Sequence, residues 1–396
     1  MAFEHTWRWF GPNDPISLKE IAQTGAEGIV TALHHIPAGE VWSVDEIMKR
    51  RRMIEAERLR WSVAESLAVH EDIKKRTGRY ADYLRKYAES VRNLGRCGIN
   101  VICYNFMPVL DWSRTELDVV FRDGSITTRF EARAFAAFDL YILRRPGAER
   151  AYSDDLMKSA KHFYEGLSPE LKEKLVLTVL LGFPGSGEAF TLEGLRQALK
   201  DYRDIGENEL RDNLHNFLRE VVPVAEESGV SMAIHPDDPP WPLLGLPRVV
   251  SNSHDVERLL AVYDSPSNGI TLCTGSFGAS RNNDLVAMAK QFARRITFIH
   301  LRNVAWDGKG GFLEENHLEG DIDIYGVMRT LLLEQQRRKK EGRKDAGMPM
   351  RPDHGHLMLA DRHWQNTYPG YSLFGRMRAL AELTGLEAGI SRSLGR

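Results

Sequence analysis

The sequence has few cysteines, no long apolar run and almost no net charge. Three cysteines in 396 residues are too few for a disulfide framework, so a reducing, cytoplasmic compartment is expected. No window approaches the roughly 18 unbroken apolar residues of a membrane-spanning helix. The first residues, MAFEHTWRWF, lack the apolar segment of a signal peptide. A formal net charge of −2 argues against a general nucleic-acid-binding protein, which would be strongly basic.

What the sequence does contain is an alternation of short apolar runs and helical stretches. Ser17 with Glu20, and Ser43 with Glu46, are two capping boxes that predict helix starts. Alternating strands and helices indicate a parallel sheet with right-handed crossovers. The predicted strands are 6–11, 27–36, 60–66, 99–106, 230–235, 269–274, 295–301 and 348–353. Eight strands, each followed by a helix, predict a (β/α)8 TIM barrel, an α/β fold, as a single domain over 1–396. If 6–11 is only an arm, 386–390 becomes the alternative eighth strand.

Residues 107–206 interrupt this alternation after the fourth predicted strand. They contain a turn at Asp123-Gly124 and helical stretches near 131–143 and 153–180, without an alternating strand pattern. We therefore expect a mainly helical insertion or lid. The segment GFPGSGE at 182–188 lacks the pattern of a phosphate-binding loop and is interpreted as a plain loop.

Four potential metal ligands stand where apolar runs end. His235, Cys273, His300 and Asp353 each close a predicted strand, and the carboxyl ends of barrel strands are where catalytic groups gather. Two imidazoles, a thiolate and a carboxylate suit Mn²⁺, Fe²⁺ or Zn²⁺ better than Mg²⁺ or Ca²⁺. The plainer interpretation is that the histidines are ordinary polar groups and Cys273 a small buried hydrophobe. Four candidates on four successive predicted strands favour a divalent-metal site.

Further polar residues lie close to these strand ends. His354 could act as a general acid or base with Tyr371 as its partner, although Tyr371 could instead cap the last helix. Arg302 could bind a substrate carboxylate or form an ordinary surface ion pair. Asp237, with Asp238, could orient ligands or hold substrate hydroxyls. The weaker candidates at the same rim are Glu65, His70, Tyr104 and Asn105.

At these residues the chain resembles the mannonate dehydratase family over nearly its whole length. The resemblance is carried by RWFGPNDP (8–15), HEDIK (70–74), CYNFMPVLDWSRTEL (103–117), AIHPDDPP (233–240), GLPR (245–248), CTGSFG (273–278), HLRN (300–303), HLEGDIDIY (317–325), RPDHG (351–355) and PGYS (369–372). It implies a xylose-isomerase-like barrel, a site for Mn²⁺ or Fe²⁺ on His235, Cys273, His300 and Asp353, and His354 and Tyr371 as the acid–base pair. The implied reaction, a step of hexuronate (glucuronate) catabolism, converts D-mannonate to 2-dehydro-3-deoxy-D-gluconate and water.

Three other functions stay open at this point. A metal-dependent sugar isomerase or epimerase on the same barrel would interconvert sugars without losing water. A metal-dependent nuclease would need a basic face, which this chain lacks. A non-catalytic carbohydrate- or metal-binding protein would leave the His354–Tyr371 pair and Arg302 without a use. The expected partner is a small molecule, and the expected assembly a homodimer, the commonest symmetric oligomer.

Overall fold

The computed structural model describes residues 3–182, 191–364 and 367–395. Its strands are β1 Glu4–Arg8, β2 Gly28–Thr31, β3 Arg60–Glu65, β4 Val101–Tyr104, β5 Glu116–Val120, β6 Ile126–Phe130, β7 Ser231–Ile234, β8 Asn268–Cys273, β9 Ile296–Leu301, β10 Asn303–Trp306, β11 Phe312–Glu315 and β12 Pro349–Pro352. Its α-helices are α1 Leu18–Ile21, α2 Val44–Glu55, α3 Glu71–Lys75, α4 Tyr80–Arg96, α5 Ala132–Ala137, α6 Asp154–Glu165, α7 Pro169–Leu180, α8 Leu192–Asp201, α9 Glu207–Glu227, α10 Ser253–Val262, α11 Thr274–Gly278, α12 Leu285–Phe292, α13 Ile324–Lys340 and α14 Leu373–Ser393. Short 3-10 segments lie at Ala22–Thr24, Ala148–Ala151, Ala293–Arg295 and Leu359–His363, and a π-helical segment at Phe138–Leu143.

Eight of the strands close into a parallel barrel in the order β1, β2, β3, β4, β7, β8, β9, β12 and back to β1. The predicted TIM barrel is therefore confirmed. The first strand pairs with both β2 and β12, so the aromatic segment at the start of the chain is a barrel strand rather than an arm. The alternative eighth strand at 386–390 is wrong, because those residues lie inside α14.

Alternation along the strands sends one set of side chains into the barrel and the other set against the helices. Inside, a small apolar cluster fills the barrel below its carboxyl ends; its members are Val30, Val63, Cys103, Ala233 and Phe298. Outside, a larger cluster joins the strands to the surrounding helices. A polar layer stands above the inner cluster, because the next inward-facing residue on three of these strands is Glu65, His235 or His300.

Several helices begin at a side chain that accepts the hydrogen bond of an otherwise unpaired backbone N–H. Ser17 and Glu20 form the predicted capping box at α1. Ser43 accepts from the Glu46 N–H at the start of α2, but the Glu46 carboxylate contacts His35 at 2.9 Å. None of the described helices is both long and apolar enough to pass through a bilayer.

The segment between β4 and β7 differs from the expected helical insertion. It contains α5 to α9 but also β5 and β6, which are joined through the predicted turn at Asp123-Gly124, where Gly124 has a φ of +81°. This hairpin forms a four-stranded antiparallel sheet in the order β10, β11, β6, β5, whose other half lies after β9. The sequence pattern missed these two strands because no residue of β5 is buried and the sheet is completed only by the pairing of β6 with the distant β11. The loop at 182–188 lies, beyond Gly182, outside the described residues.

Candidate active site at the carboxyl mouth of the barrel

The four predicted ligands meet at the carboxyl mouth of the barrel. Candidate ligand atoms of His235, Cys273 and His300 all lie within 4.8 Å of one another. The Asp353 carboxylate joins them, with Oδ2 3.6 Å from the Cys273 sulfur and 4.0 Å from His300 Nδ1. The common cause is their position on the strands. Cys273 is the last residue of β8, His300 is the next-to-last residue of β9, and His235 and Asp353 directly follow β7 and β12.

The two imidazoles have a protonation state that can bind a divalent cation, whereas the thiol would first have to lose its proton. His235 Nδ1 lies 2.7 Å from the Pro236 carbonyl and donates to it, which leaves Nε2 free to ligate. Burial, together with the positive charge of Arg351, holds the pKa of His300 well below its ordinary value, so this imidazole is neutral, the form that binds metals. Burial raises the pKa of the Cys273 thiol to about 12. A cation would therefore have to displace the thiol proton when it binds.

Arg351 is a member of the site that sequence reasoning missed. Its Nη1 donates to Asp353 at 2.5 Å, its Nη2 to Glu65 at 3.0 Å, and its Nε lies 3.1 Å from His300 Nε2. Glu65 was only a weak candidate, yet Glu65, Cys103 and His300 form a second group with ligand atoms within 4.8 Å. The signal for Arg351 was in the sequence, because a residue two positions before an inward-facing Asp353 on a strand also faces inward.

His354 is held by a carboxylate from the antiparallel sheet. Its Nδ1 lies 2.6 Å from Oε2 of Glu314 on β11. Although burial opposes ionisation, the charges of Arg114 and Arg302 and the hydrogen bond from His354 hold the pKa of Glu314 below its ordinary value. An ionised Glu314 accepts the Nδ1 proton of His354, which leaves Nε2 as the nitrogen for proton transfer. Sequence reasoning could not find Glu314, because the strand that carries it was not predicted.

Tyr371 packs edge-on against His354, with ring centroids 5.1 Å apart. The backbone around the pair is tightly fitted. His354 has a φ of +63°, a left-handed conformation that is uncommon outside glycine. A Cβ atom on Gly370, whose own φ is +80°, would stand 2.9 Å from His354 Cγ. Glycine is therefore required just before Tyr371. Burial, the largest influence, raises the pKa of the Tyr371 phenol above its ordinary value, so the hydroxyl keeps its proton.

Arg302 is buried, with only 2% of its surface exposed, and is engaged by carboxylates of the chain itself. Its Nη2 donates to Asp238 at 2.6 Å, and its Nη1 lies 3.5 Å from Asp353. A Cβ on Gly275 would collide with its Nε, so the glycine of the CTGS segment makes room for the guanidinium. The interpretation as a surface ion pair is wrong, and the predicted grip on a substrate carboxylate stays a prediction.

Asp238 links this arginine to the candidate ligand Cys273. The Ser276 hydroxyl lies 3.0 Å from Asp238 Oδ2 and 3.1 Å from the Cys273 sulfur. Arg114, fully buried, donates to Asp238 at 2.9 Å and to Glu314 at 2.5 Å. Two arginines and two carboxylates thus alternate behind the site and fix both Cys273 and His354.

The other predicted substrate-binding residues make structural contacts. Asp237 accepts from the Val250 N–H at 2.7 Å and the Ser251 hydroxyl at 2.8 Å. His70 caps α3 by accepting from the Asp72 N–H at 3.0 Å. Asn105 Nδ2 lies 3.4 Å from an Asp111 oxygen. Their roles in substrate binding stay predictions.

The closed parallel barrel and the titratable residues gathered at its carboxyl mouth place this chain among the TIM-barrel enzymes. The fold alone matches a xylose isomerase domain protein from Planctomyces limnophilus, at 11% identity and a TM-score of 0.51 over 99% of this chain and 100% of that one. Residues 3–395 match the family model described as D-mannonate dehydratase (UxuA). The chain belongs to the D-mannonate dehydratase family.

Individual relatives agree over the full length. A mannonate dehydratase from Marinomonas sp. (strain MWYL1) is 54% identical over 99% of this chain and 100% of its own. One from Chromohalobacter salexigens is 51% identical over 98% of this chain and 99% of its own. The crystal structure of mannonate dehydratase from Streptococcus suis serotype 2 is 34% identical, with a TM-score of 0.78 over 100% of this chain and 95% of that one. The resemblance found in the sequence is confirmed at the level of the family.

Proposed function

We propose that this chain is a metal-dependent hydro-lyase that converts D-mannonate to 2-dehydro-3-deoxy-D-gluconate and water. Family membership supports the reaction class. The observation that carries the chemistry is the convergence of a nitrogen, sulfur and oxygen donor set with a carboxylate-held imidazole at one barrel mouth. Mn²⁺ and Fe²⁺ are the proposed metals among those that accept such donors.

His235, Cys273, His300 and Asp353 are the residues that would hold the cation. A divalent cation bound there supplies Lewis acidity and orients substrate oxygens, so that charge developing on the substrate's carboxylate is stabilised. Asp238 and Ser276 hold Cys273 in place from behind, and Arg351 neutralises Glu65 and Asp353.

His354 is the proposed base for the proton on C2. Its Nδ1 proton is fixed on Glu314, so Nε2 carries the free lone pair and faces the same mouth as Asp353, 3.9 Å from its Oδ1. When Nε2 takes a proton, the ionised Glu314 stabilises the resulting imidazolium. Tyr371, protonated and packed against His354, is the proposed acid for the departing C3 hydroxyl.

The test combines product mass with metal analysis. Purified protein is assayed on D-mannonate after chelation and after return of Mn²⁺ or Fe²⁺. The expected product has lost one water, whereas an isomerase or epimerase would leave the mass unchanged and a binding protein would leave D-mannonate intact. Either of those results would overturn the proposal.

Compartment and assembly belong to the same proposal. A cytoplasmic location is supported by the use of Cys97, Cys103 and Cys273, all buried and free, because thiols persist in reducing compartments. The proposed assembly is a homodimer that binds a small-molecule substrate and no nucleic acid. Light scattering on the purified protein would test the assembly, and a monomer would contradict it.

A further inference from the structure

Arg8, at the end of β1, is a buried arginine that the proposed mechanism does not use. It is 9% exposed. Its Nη1 has no hydrogen-bond partner, and its Nη2 contacts only the ring nitrogen of His34, at 3.4 Å. Among the described residues, no carboxylate lies within ion-pair distance of Arg8. By contrast, Arg114 and Arg351 each form ion pairs with two carboxylates, and Arg302 forms ion pairs with three.

The register of the barrel aims Arg8 into the mouth. On β2 it is paired with Val30, a member of the inner apolar cluster, and paired residues of parallel strands face the same side. On the other edge His5 is paired with Met350 of β12. Arg8 lies three residues after His5, and Asp353 lies three residues after Met350. The two residues are therefore at the same height in the barrel.

A second arginine fixes Arg8 beside the proposed acid. Arg376 donates from Nη1 to the Arg8 carbonyl at 2.8 Å and from Nη2 to the Tyr371 carbonyl at 3.0 Å. Phe10 fills the space between the two side chains: the Arg8 guanidinium lies 4.8 Å from the Phe10 ring centroid, and the rings of Phe10 and Tyr371 are 4.9 Å apart. Phe10 and His34 also line a cavity of about 280 Å³. The two residues that contact the Arg8 guanidinium, Phe10 and His34, are thus also part of the wall of that cavity.

A buried cation without a counter-ion is unfavourable in the free protein, so such a group indicates an anionic ligand that completes it. We propose that Arg8 binds the carboxylate of the aldonate substrate through charge-assisted hydrogen bonds. This assignment deepens the proposed function and rests on it. It gives the substrate's anionic end a position on the β1 side of the mouth, next to Tyr371, and makes Arg8 the residue that selects an acid over its neutral analogues.

The test compares D-mannonate with D-mannonamide, which has the same carbon skeleton and a neutral amide. Binding is measured by calorimetry in a metal-loaded His354→Asn background, which limits consumption of D-mannonate. Adding Arg8→Met is expected to weaken D-mannonate binding by about 10- to 150-fold, the loss expected for hydrogen bonds to a charged group. D-Mannonamide binding should change by less than about threefold, and Arg8→Lys should retain part of the preference.

Arg50→Met is the matched control. Arg50 is also buried and lines the same cavity, but its Nη1 donates to the Ala32 carbonyl at 2.8 Å and to Thr31 at 3.3 Å. Its loss should leave the ratio of D-mannonate to D-mannonamide affinity unchanged. A second readout is the melting temperature, which should be equal or higher in Arg8→Met because an unpaired buried charge has been removed.

The outcomes separate two failures. If the His354→Asn protein binds D-mannonate and adding Arg8→Met leaves the ratio of D-mannonate to D-mannonamide affinity unchanged, the assignment of Arg8 is wrong and the proposed function stands. A fall in melting temperature with an unchanged ratio would make Arg8 a structural residue. If the unmodified protein neither binds nor dehydrates D-mannonate, both the proposed function and the assignment of Arg8 are wrong.

Discussion

At the scale of single residues, the site depends on protons being fixed on particular atoms. In the proposed mechanism, Glu314 holds the Nδ1 proton of His354 so that this histidine can act as the base, and burial keeps the Tyr371 phenol protonated so that it can act as the acid. Each proposed role can be tested by replacing one side chain at a time.

Replacing His354 by Asn should lower kcat by about 10²- to 10⁴-fold, the usual contribution of a general base. Exchange of the C2 hydrogen with solvent should fall by a similar factor, because no other group is assigned to remove that proton. Tyr371→Phe should also lower product formation but preserve C2 exchange. If His354→Asn still exchanges C2 at the parent rate, the two roles have been assigned the wrong way round.

Replacing Glu314 by Gln should reduce kcat by about 10- to 100-fold, comparable to losing a hydrogen-bond partner that orients an imidazole. KM should change little, because Glu314 acts through His354. Glu315→Gln is the control: the neighbouring carboxylate is also buried but contacts Arg122 rather than His354. Equal losses of kcat in the two variants would argue against a positioning role for Glu314.

At the scale of elements, two sheets share the site. The barrel supplies the candidate ligands, and the antiparallel sheet supplies Glu314. Phe312, two residues earlier on β11, is fully buried, stacks on Phe130 with centroids 5.9 Å apart, and lies 4.8 Å from the Arg114 guanidinium. The packing of one aromatic residue thus fixes the position of the carboxylate behind His354.

Phe312→Ala is expected to lower the free energy of unfolding by about 3–5 kcal/mol, as for other buried aromatic truncations. Urea denaturation measures this change, and kcat of the folded fraction should fall as Glu314 loses its support. Val120→Ala on β5, where the side chain is 74% exposed, should alter stability by less than about 0.5 kcal/mol. A loss below about 1 kcal/mol for Phe312→Ala would show that the sheet packs loosely.

The elements also separate what sequence could predict from what it could not. Periodicity and helix caps located the barrel strands, since each is a short apolar run bounded by turns. β5 and β6 pair with each other, and so do β10 and β11, but the four strands form one sheet only through the pairing of β6 with the distant β11, which no local pattern reveals. The strand-end rule found His235, Cys273, His300 and Asp353, whereas Arg351 required the inward alternation along β12. Nothing local marked Glu314 as the partner of His354, or Arg114 as a partner of Glu314.

At the scale of the whole molecule, the proposed metal would link ligand binding to folding. A cation held by side chains from four strands would stabilise the closed barrel by mass action, by about 2.7 kcal/mol at a hundred times its dissociation constant. Ion pairs from Arg351 to Glu65 and Asp353 already balance charge at the mouth of the barrel. Chelation is therefore expected to lower the melting temperature without unfolding the protein.

Cys273→Ser should reduce bound Mn²⁺ or Fe²⁺, measured by elemental analysis after dialysis, and should remove most of the activity. Cys97→Ser makes the same chemical change at another buried cysteine, which follows α4 and is not part of the ligand group. Its metal content should equal that of the parent. Full metal content in Cys273→Ser would remove the thiolate from the proposed ligand set.

The division of the antiparallel sheet between two distant parts of the chain bears on its biosynthesis. The hairpin of β5 and β6 leaves the ribosome long before β10 and β11. Until β11 is synthesised, the backbone groups along one edge of β6 have no strand to pair with. Open strand edges invite pairing with other nascent polypeptides. Translation is therefore the period when this protein is expected to be most vulnerable to aggregation and most dependent on chaperones.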